Sequence, residues 1–191
     1  MREIEIKCQV VDEWKYIKGL ERAIKVGDSI IQHNWYYSHP QLTGVSYRTR
    51  SYSPDNDREC LLVQKYGKNA VNGQDRIEIE IETGLTQWDL GVELEGQGFK
   101  IESQWFRNRD SYDAGDFLIE PALNSGFGRI VELEATSNMN VDQLIAEASE
   151  MGLAVIPTEL MDKAYKIVAG DESFYSSFLA GKPEYINWSI L

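Results

Sequence analysis

The segment Arg2-Glu3-Ile4-Glu5-Ile6-Lys7-Cys8-Gln9-Val10 alternates apolar and polar residues almost without a break. Successive side chains of a strand point to opposite faces, so Ile4, Ile6, Cys8 and Val10 share one side and Glu3, Glu5, Lys7 and Gln9 the other. Residues 75–83 repeat the pattern more sharply, with Ile77, Ile79 and Ile81 against Arg76, Glu78, Glu80 and Glu82. Residues 129–135 carry it a third time, with Val131 and Leu133 against Glu132 and Glu134. Less regular strands are predicted near 28–37, 45–52, 59–66, 99–109 and 116–122. Ser53-Pro54-Asp55-Asn56 and Asn72-Gly73 read as hairpin tips, and strands joined by such turns make an antiparallel sheet.

Helical spacing is rarer. Trp14, Ile17, Leu20 and Ile24 predict a helix over 12–24, and residues 86–96 predict a short one. The last third changes character. Asn138 or Asn140 can cap a helix running to about Met151, with Val141, Leu144, Ile145 and Ala148 on one face and Gly152 as its stop. After Pro157, Thr158 is placed to cap a second helix to about Val168, and residues 173–180 predict a third. The tail from Pro183 to Trp188 is apolar enough to dock. With strands mainly in 1–135 and helices in 138–191, the simplest reading is one α+β domain over 1–191.

Composition narrows the function classes. With 191 residues and 42% hydrophobic content, the chain can bury a core without disulfides. The two cysteines, Cys8 and Cys60, make no disulfide framework. No stretch reaches the ~18 apolar residues of a membrane span, and the charged N-terminus lacks a signal-peptide core, so a cytoplasmic location is expected. The net charge of −12 argues against nucleic acid and anionic membranes as partners. It leaves room for an anionic small molecule gathered by local Arg and Lys. The oligomeric state stays open, a homodimer included.

The charged faces admit two readings. An antiparallel sheet often turns one face to water, and these rows would then be solvated. Yet carboxylates recur at i, i+2 spacing on three strands, where like charges repel unless compensated. Arg48 and Arg50 form a basic pair of the same spacing, as do Arg107 and Arg109, and Lys65 interrupts an apolar strand. Turned inward in a closed barrel, these rows would make a mixed-charge cavity. Such a cavity suits a multiply charged anion and divalent cations, since carboxylates hold hard cations and Arg and Lys hold phosphate oxygens.

Here the sequence resembles the CYTH domains, the triphosphate tunnel metalloenzymes. Glu3-Ile4-Glu5-Ile6-Lys7 matches their N-terminal ExExK signature. Tyr47-Arg48-Thr49-Arg50, Lys65, Arg76-Ile77-Glu78-Ile79-Glu80 and Arg107-Asn108-Arg109 follow in family order, and Gly126-Phe127-Gly128-Arg129-Ile130-Val131-Glu132-Leu133-Glu134-Ala135 matches the closing glycine-rich turn and ExE strand. The resemblance spans roughly residues 1–170. It implies an eight-stranded antiparallel β-barrel with helices packed outside and a helical C-terminal segment. It implies Mg²⁺ or Mn²⁺ held by Glu3, Glu5, Glu78, Glu80, Glu120, Glu132 and Glu134. Phosphates would be held by Lys7, Arg48, Arg50, Lys65, Arg76, Arg107 and Arg109, and catalytic roles would fall to Glu5, Glu80 and Glu134. Two departures stand out. Tyr36-Tyr37-Ser38-His39 replaces a family motif that ends in Asp-Thr, and Glu120 stands where relatives carry an aspartate, Asn124 being a weaker substitute.

The implied activity is metal-dependent hydrolysis of a triphosphate: inorganic tripolyphosphate, thiamine triphosphate or a nucleoside triphosphate. A class IV adenylyl cyclase and a non-catalytic polyphosphate or nucleotide binder are the alternatives. No GxxxxGK[ST], HExxH, CxxC or Gly-x-Ser-x-Gly motif points elsewhere, and neither His33 nor His39 is assigned a catalytic role.

Overall fold

Every segment that alternates in the sequence is a strand in the structure, a computed structural model that describes residues 2–52, 60–67, 69–70 and 73–190. In chain order the elements are β1 (Arg2–Val10), α1 (Glu13–Leu20), β2 (Ile24–Lys25), β3 (Ile30–Ser38), β4 (Val45–Ser51) and β5 (Leu61–Tyr66). Then come β6 (Asn69–Ala70), β7 (Gly73–Glu82), α2 (Gln87–Gly96), β8 (Lys100–Arg109), β9 (Tyr112–Asp113), β10 (Phe117–Asn124) and β11 (Gly128–Ala135). The chain ends with α3 (Val141–Glu150), β12 (Leu153–Val155), α4 (Thr158–Ala169), α5 (Ser173–Leu179) and a 3₁₀ turn, Trp188–Ile190.

Eight of the strands close into a barrel in the order β11-β1-β7-β5-β4-β3-β8-β10, with β10 pairing back to β11. All eight pairings are antiparallel. Closure leaves no free edge among them, which removes the usual hazard of exposed strand edges. Two apolar clusters lie outside this barrel, and a third closes the tunnel under α4. One cluster joins Ile4, Ile6, Val131 and Leu133 to Tyr16 of α1 and to Leu144 and Ala148 of α3. A second sets Tyr37, Tyr47 and Phe99 against Leu90 and Leu94 of α2. A third sets Trp105, Phe127 and Ile130 against Met161, Ala164 and Val168 of α4. Ile77, Ile79 and Ile81 also point outward but stay substantially exposed.

The helix predicted over 12–24 is corrected. Asp12 caps α1, which ends at Leu20, and the residue it buries is Tyr16. Trp14 and Ile17 are 70% and 47% exposed. Turn hydrogen bonds from Arg22 and Ala23 stop the helix. Ile24 then enters β2, where pairing with β9 takes over. At the next boundaries, Asn140 caps α3 in a reciprocal capping box with Gln143. Gly152 follows at φ +69°, where a Cβ would lie 2.7 Å from the Asp12 carbonyl oxygen. Thr158 does not cap α4. It is the first helical residue, preceded by Pro157, whose fixed φ suits a helix start. The tail docks as expected: Ile186 N–H donates to Gly126 O at 2.8 Å and Trp188 Nε1–H to Phe127 O at 3.0 Å. The hairpin tip expected at Ser53–Asn56, and Asn72 of the other tip, lie outside the described residues.

Candidate active site

Strand parity and barrel closure bring the charged rows together. Glu5 faces Glu134 and Lys7 faces Glu132 across β1 and β11. Glu120 faces Glu132 across β10 and β11, and Lys65 faces Glu78 across β5 and β7. These pairs line one tunnel. Lys7, Arg48, Arg50, Lys65, Arg76, Arg107 and Arg109 supply its positive charge, and Glu3, Glu5, Glu78, Glu80, Glu120, Glu132 and Glu134 its negative charge. Formally the two sets balance.

Ion pairs knit the two sets into two groups. Lys65 Nζ lies 2.7 Å from Glu3 and 2.6 Å from Glu78, Arg48 lies 3.4 Å from Glu78, and Arg50 lies 2.6 Å from Glu80. On the opposite wall Lys7 lies 2.9 Å from Glu5 and 2.5 Å from Glu132. Arg107 pairs with Glu132, and Arg109 lies 2.5 Å from Glu120. Ser111 Oγ also donates to Glu120 at 2.8 Å. Among the described residues Glu134 and Arg76 join no ion pair.

Two features mark the cost of holding these charges together. The Nε atoms of Arg48, Arg50, Arg76, Arg107 and Arg109 are all buried without an acceptor, and buried donors without partners are costly. The carboxylates also divide electrostatically. Burial pushes Glu132 up, but Arg107 and Lys7 overcome it and hold the carboxyl well below its ordinary range. Glu5 is likewise burdened by burial and held below its ordinary value by Lys7 and Lys65. Burial wins at Glu3, which with the push of Glu5 rises to about 8 despite Lys65. Glu134 rises to about 7 through burial and the nearby charges of Glu120, Glu5 and Glu132. Glu80, raised by burial and Glu78, lies nearer the solvent.

The resemblance implies Mg²⁺ or Mn²⁺, and this donor set, all carboxylate oxygen, suits a hard divalent cation. Among the described residues no group of three acidic, His or Cys side chains forms a ready-made cage, because most carboxylates are drawn onto Lys or Arg. The Glu5–Glu134 pair nevertheless fits a hard cation. The two oppose each other in register, and among the described residues Glu134 forms no ion pair, Lys65 acting on it only through its more distant charge.

The cavity within the barrel is about 370 Å³, and a more open space of about 510 Å³ adjoins it at Tyr36, Ser46, Lys65, Arg76 and Glu102. Glu5, Lys7, Arg48, Lys65 and Arg76 line one side, and Trp105 with Ile156, Met161 and Tyr165 closes another. Thus α4 covers part of the tunnel.

No family model matches the chain, and no curated protein does. Solved structures do. A conserved hypothetical protein from Pyrococcus furiosus superposes with a TM-score of 0.66 at 23% identity, over 81% of this chain and 94% of that one. A structure described as a candidate adenylate cyclase from Vibrio parahaemolyticus gives 0.60 at 20% identity, over 81% and 90%. The Hippeastrum protein HpAC1, a nominal adenylyl cyclase whose structure is described as revealing a dominant triphosphatase activity, gives 0.57 at 18% identity, over 95% and 97%. The fold is the CYTH-like barrel. Within this barrel Glu5, Lys7, Arg48, Lys65 and Arg76 line one cavity and Arg107 and Glu132 a smaller one, and Glu3, Glu78, Glu80, Arg50, Arg109, Glu120 and Glu134 share their strand faces or oppose them in register. His33 packs edge-on against Phe106, and His39 against Phe99.

Sequence reasoning missed the neutral residues of the site. Tyr36 OH accepts from Arg48 Nη1 at 3.0 Å. Asn34 shares its face of β3 and lines the tunnel beside it. Trp105 lies two residues before Arg107, so parity alone could have placed it. Tyr165 comes from α4, and no strand pattern could have found it.

Proposed function

We propose that the tunnel is a divalent-metal-dependent triphosphate hydrolase. The observation that carries this reading is the convergence of Lys7, Arg48, Lys65 and Arg76 on one cavity, with Arg107 lining the small space beyond it. Phosphate oxygens are the acceptors that guanidinium groups match best. Charge balance supports the metal. With Glu3 and Glu134 keeping protons near neutral pH the tunnel carries a small positive charge, less than a triphosphate brings, and divalent cations entering with it offset the rest. The activity described for the Hippeastrum neighbour points the same way.

Lys7, Arg48, Lys65 and Arg76 border the main cavity and orient the phosphate chain. Arg50, Arg107 and Arg109 extend the cationic surface along the tunnel. Glu5 and Glu134 hold Mg²⁺ or Mn²⁺, with Glu3 beside them. The bound ion supplies Lewis-acid polarisation of phosphate oxygens. The side chains themselves act by positioning and by charge already in place, so no Ser, Cys or His nucleophile is required.

The test is turnover of tripolyphosphate, thiamine triphosphate, ATP and GTP with each metal, with products separated. Orthophosphate release supports the hydrolase. Cyclic AMP with pyrophosphate would make the protein a cyclase, and tight binding without turnover would make it a binder.

A further inference from the structure

The barrel cavity has two unlike walls. Lys7, Arg48, Lys65 and Arg76, from β1, β4, β5 and β7, make one of them. Trp105 of β8, Ile156 of the link into α4, and Met161, Tyr165 and Ala169 of α4 make the other. This second wall is firmly held. Trp105 contacts the rings of Tyr36, Phe127 and Tyr165 at centroid distances of 4.8, 5.1 and 4.9 Å, and Ile156 and Met161 belong to the same packed cluster. Ala169 is the last residue of α4 and is exposed, so its small side chain leaves that end of the wall open.

The two walls make opposite demands. Phosphate oxygens set against Ile156, Met161 and Ala169 would lose water and gain no donor from them. The charges beside this wall do not draw phosphate either. Asp162 and Lys166 stand one turn apart on α4 with opposite signs, and Glu102 adds a further negative charge. An apolar surface with a few polar groups at its edge is instead the usual lining of an organic ligand's pocket. At about 370 Å³ the cavity falls toward the small end of such pockets, which suits one ring system beside a phosphate chain.

We propose that this cavity selects a triphosphate carried on a planar heteroaromatic group over inorganic tripolyphosphate; this rests on the triphosphatase reading above. The ring lies against the α4 wall, and the phosphate chain runs from it to Lys7, Arg48, Lys65 and Arg76. Tripolyphosphate still fits the cationic wall. It leaves the α4 wall in water and forfeits the binding that burial of a ring supplies.

The test compares kcat/KM for tripolyphosphate, ATP, GTP, CTP and thiamine triphosphate with Mg²⁺. In wild type at least one organic substrate should exceed tripolyphosphate by about tenfold or more, the scale of one good apolar contact. Ala169→Phe fills the open end of the α4 wall from an exposed position, and Met161→Ala hollows its middle. Each should lower the ratio of organic to inorganic kcat/KM about tenfold, mainly through the KM of the organic substrate. Circular dichroism establishes that each variant is folded, and Ala169→Phe decides the matter if Met161→Ala is not. A wild type that turns over tripolyphosphate as well as every organic triphosphate overturns the proposal and leaves the triphosphatase reading standing. So does an unchanged ratio in folded Ala169→Phe, or an equal loss on both kinds of substrate, which marks a structural effect. If wild type turns over no triphosphate, the underlying reading fails and this one falls with it.

Discussion

Replacing Glu134 with Gln should stabilise the metal-free protein and abolish its turnover. In the folded chain Glu134 opposes Glu5, and burial with three neighbouring carboxylates lifts it from 4.5 to about 7. A carboxyl raised by folding keeps its proton longer in the native state than in the unfolded one. Native stability therefore falls as pH rises from about 4.5 to about 7, and the cost is complete above that. A rise from 4.5 to about 7, at ~1.36 kcal/mol per pH unit, gives at most about 3.4 kcal/mol, and solvent screening of this partly exposed carboxyl lowers the cost to about 2–3 kcal/mol. For a chain of this length that is roughly 5–10 °C in Tm. Gln preserves the shape and removes the charge. Calorimetry in EDTA should therefore show Glu134→Gln more stable than wild type at pH 8, with the gain shrinking to nothing near pH 4.5. With Mg²⁺ and tripolyphosphate the same variant should be inactive, because the charge that burdens the metal-free tunnel is the one proposed to hold the cation. A variant less stable than wild type at pH 8, or a gain independent of pH, would refute the electrostatic argument. Full turnover would refute the metal assignment.

Excess EDTA should stop hydrolysis and Mg²⁺ or Mn²⁺ restore it, as coupled phosphate-release kinetics would show; undiminished activity without metal would end the proposal of metal dependence. Arg50→Ala should weaken tripolyphosphate binding by about 2–5 kcal/mol, measured calorimetrically on a variant shown to be folded by circular dichroism; unchanged affinity would remove Arg50 from the phosphate site. His33, lowered to about 4 by burial against Phe106, is neutral in the fold at pH 6 while the unfolded chain takes up a proton near 6.5. Its stabilising share is thus present above about pH 6.5 and lost as pH falls toward 4, so His33→Phe should flatten acid destabilisation in that window by about 2 kcal/mol; an unchanged acid limb in denaturation curves would count against it.

The barrel was legible because charge and apolarity alternate on β1, β7 and β11, and strict alternation has few other meanings. The charged tunnel was legible for the same reason. Glu3, Glu5 and Lys7 share parity, and the face they occupy had to be resolved as water or cavity. Helix boundaries were less legible. At α1 the apolar spacing of Trp14, Ile17 and Ile24 suggested a buried stripe, but the tertiary partner is a tyrosine of the opposite phase, Tyr16, and strand pairing claims Ile24. The start of α4 was misassigned because Thr158 has the chemistry of a cap, while Pro157 has the backbone geometry of the position before the helix.

What the sequence concealed is concentrated on β3. Its inward face carries Asn34 and Tyr36, which bear no charge, so no repeating sign announces which way they point. Asn34 sits opposite Arg50 of β4 and Trp105 of β8, and Tyr36 opposite Arg48 and Ser103. The pairing that gathers the charged rows therefore fixes these neutral side chains as well, but that register is a property of the closed barrel and not of any one strand. Charged patterning marks the rows that must be compensated, whereas the neutral lining becomes visible only once cross-strand neighbours are known.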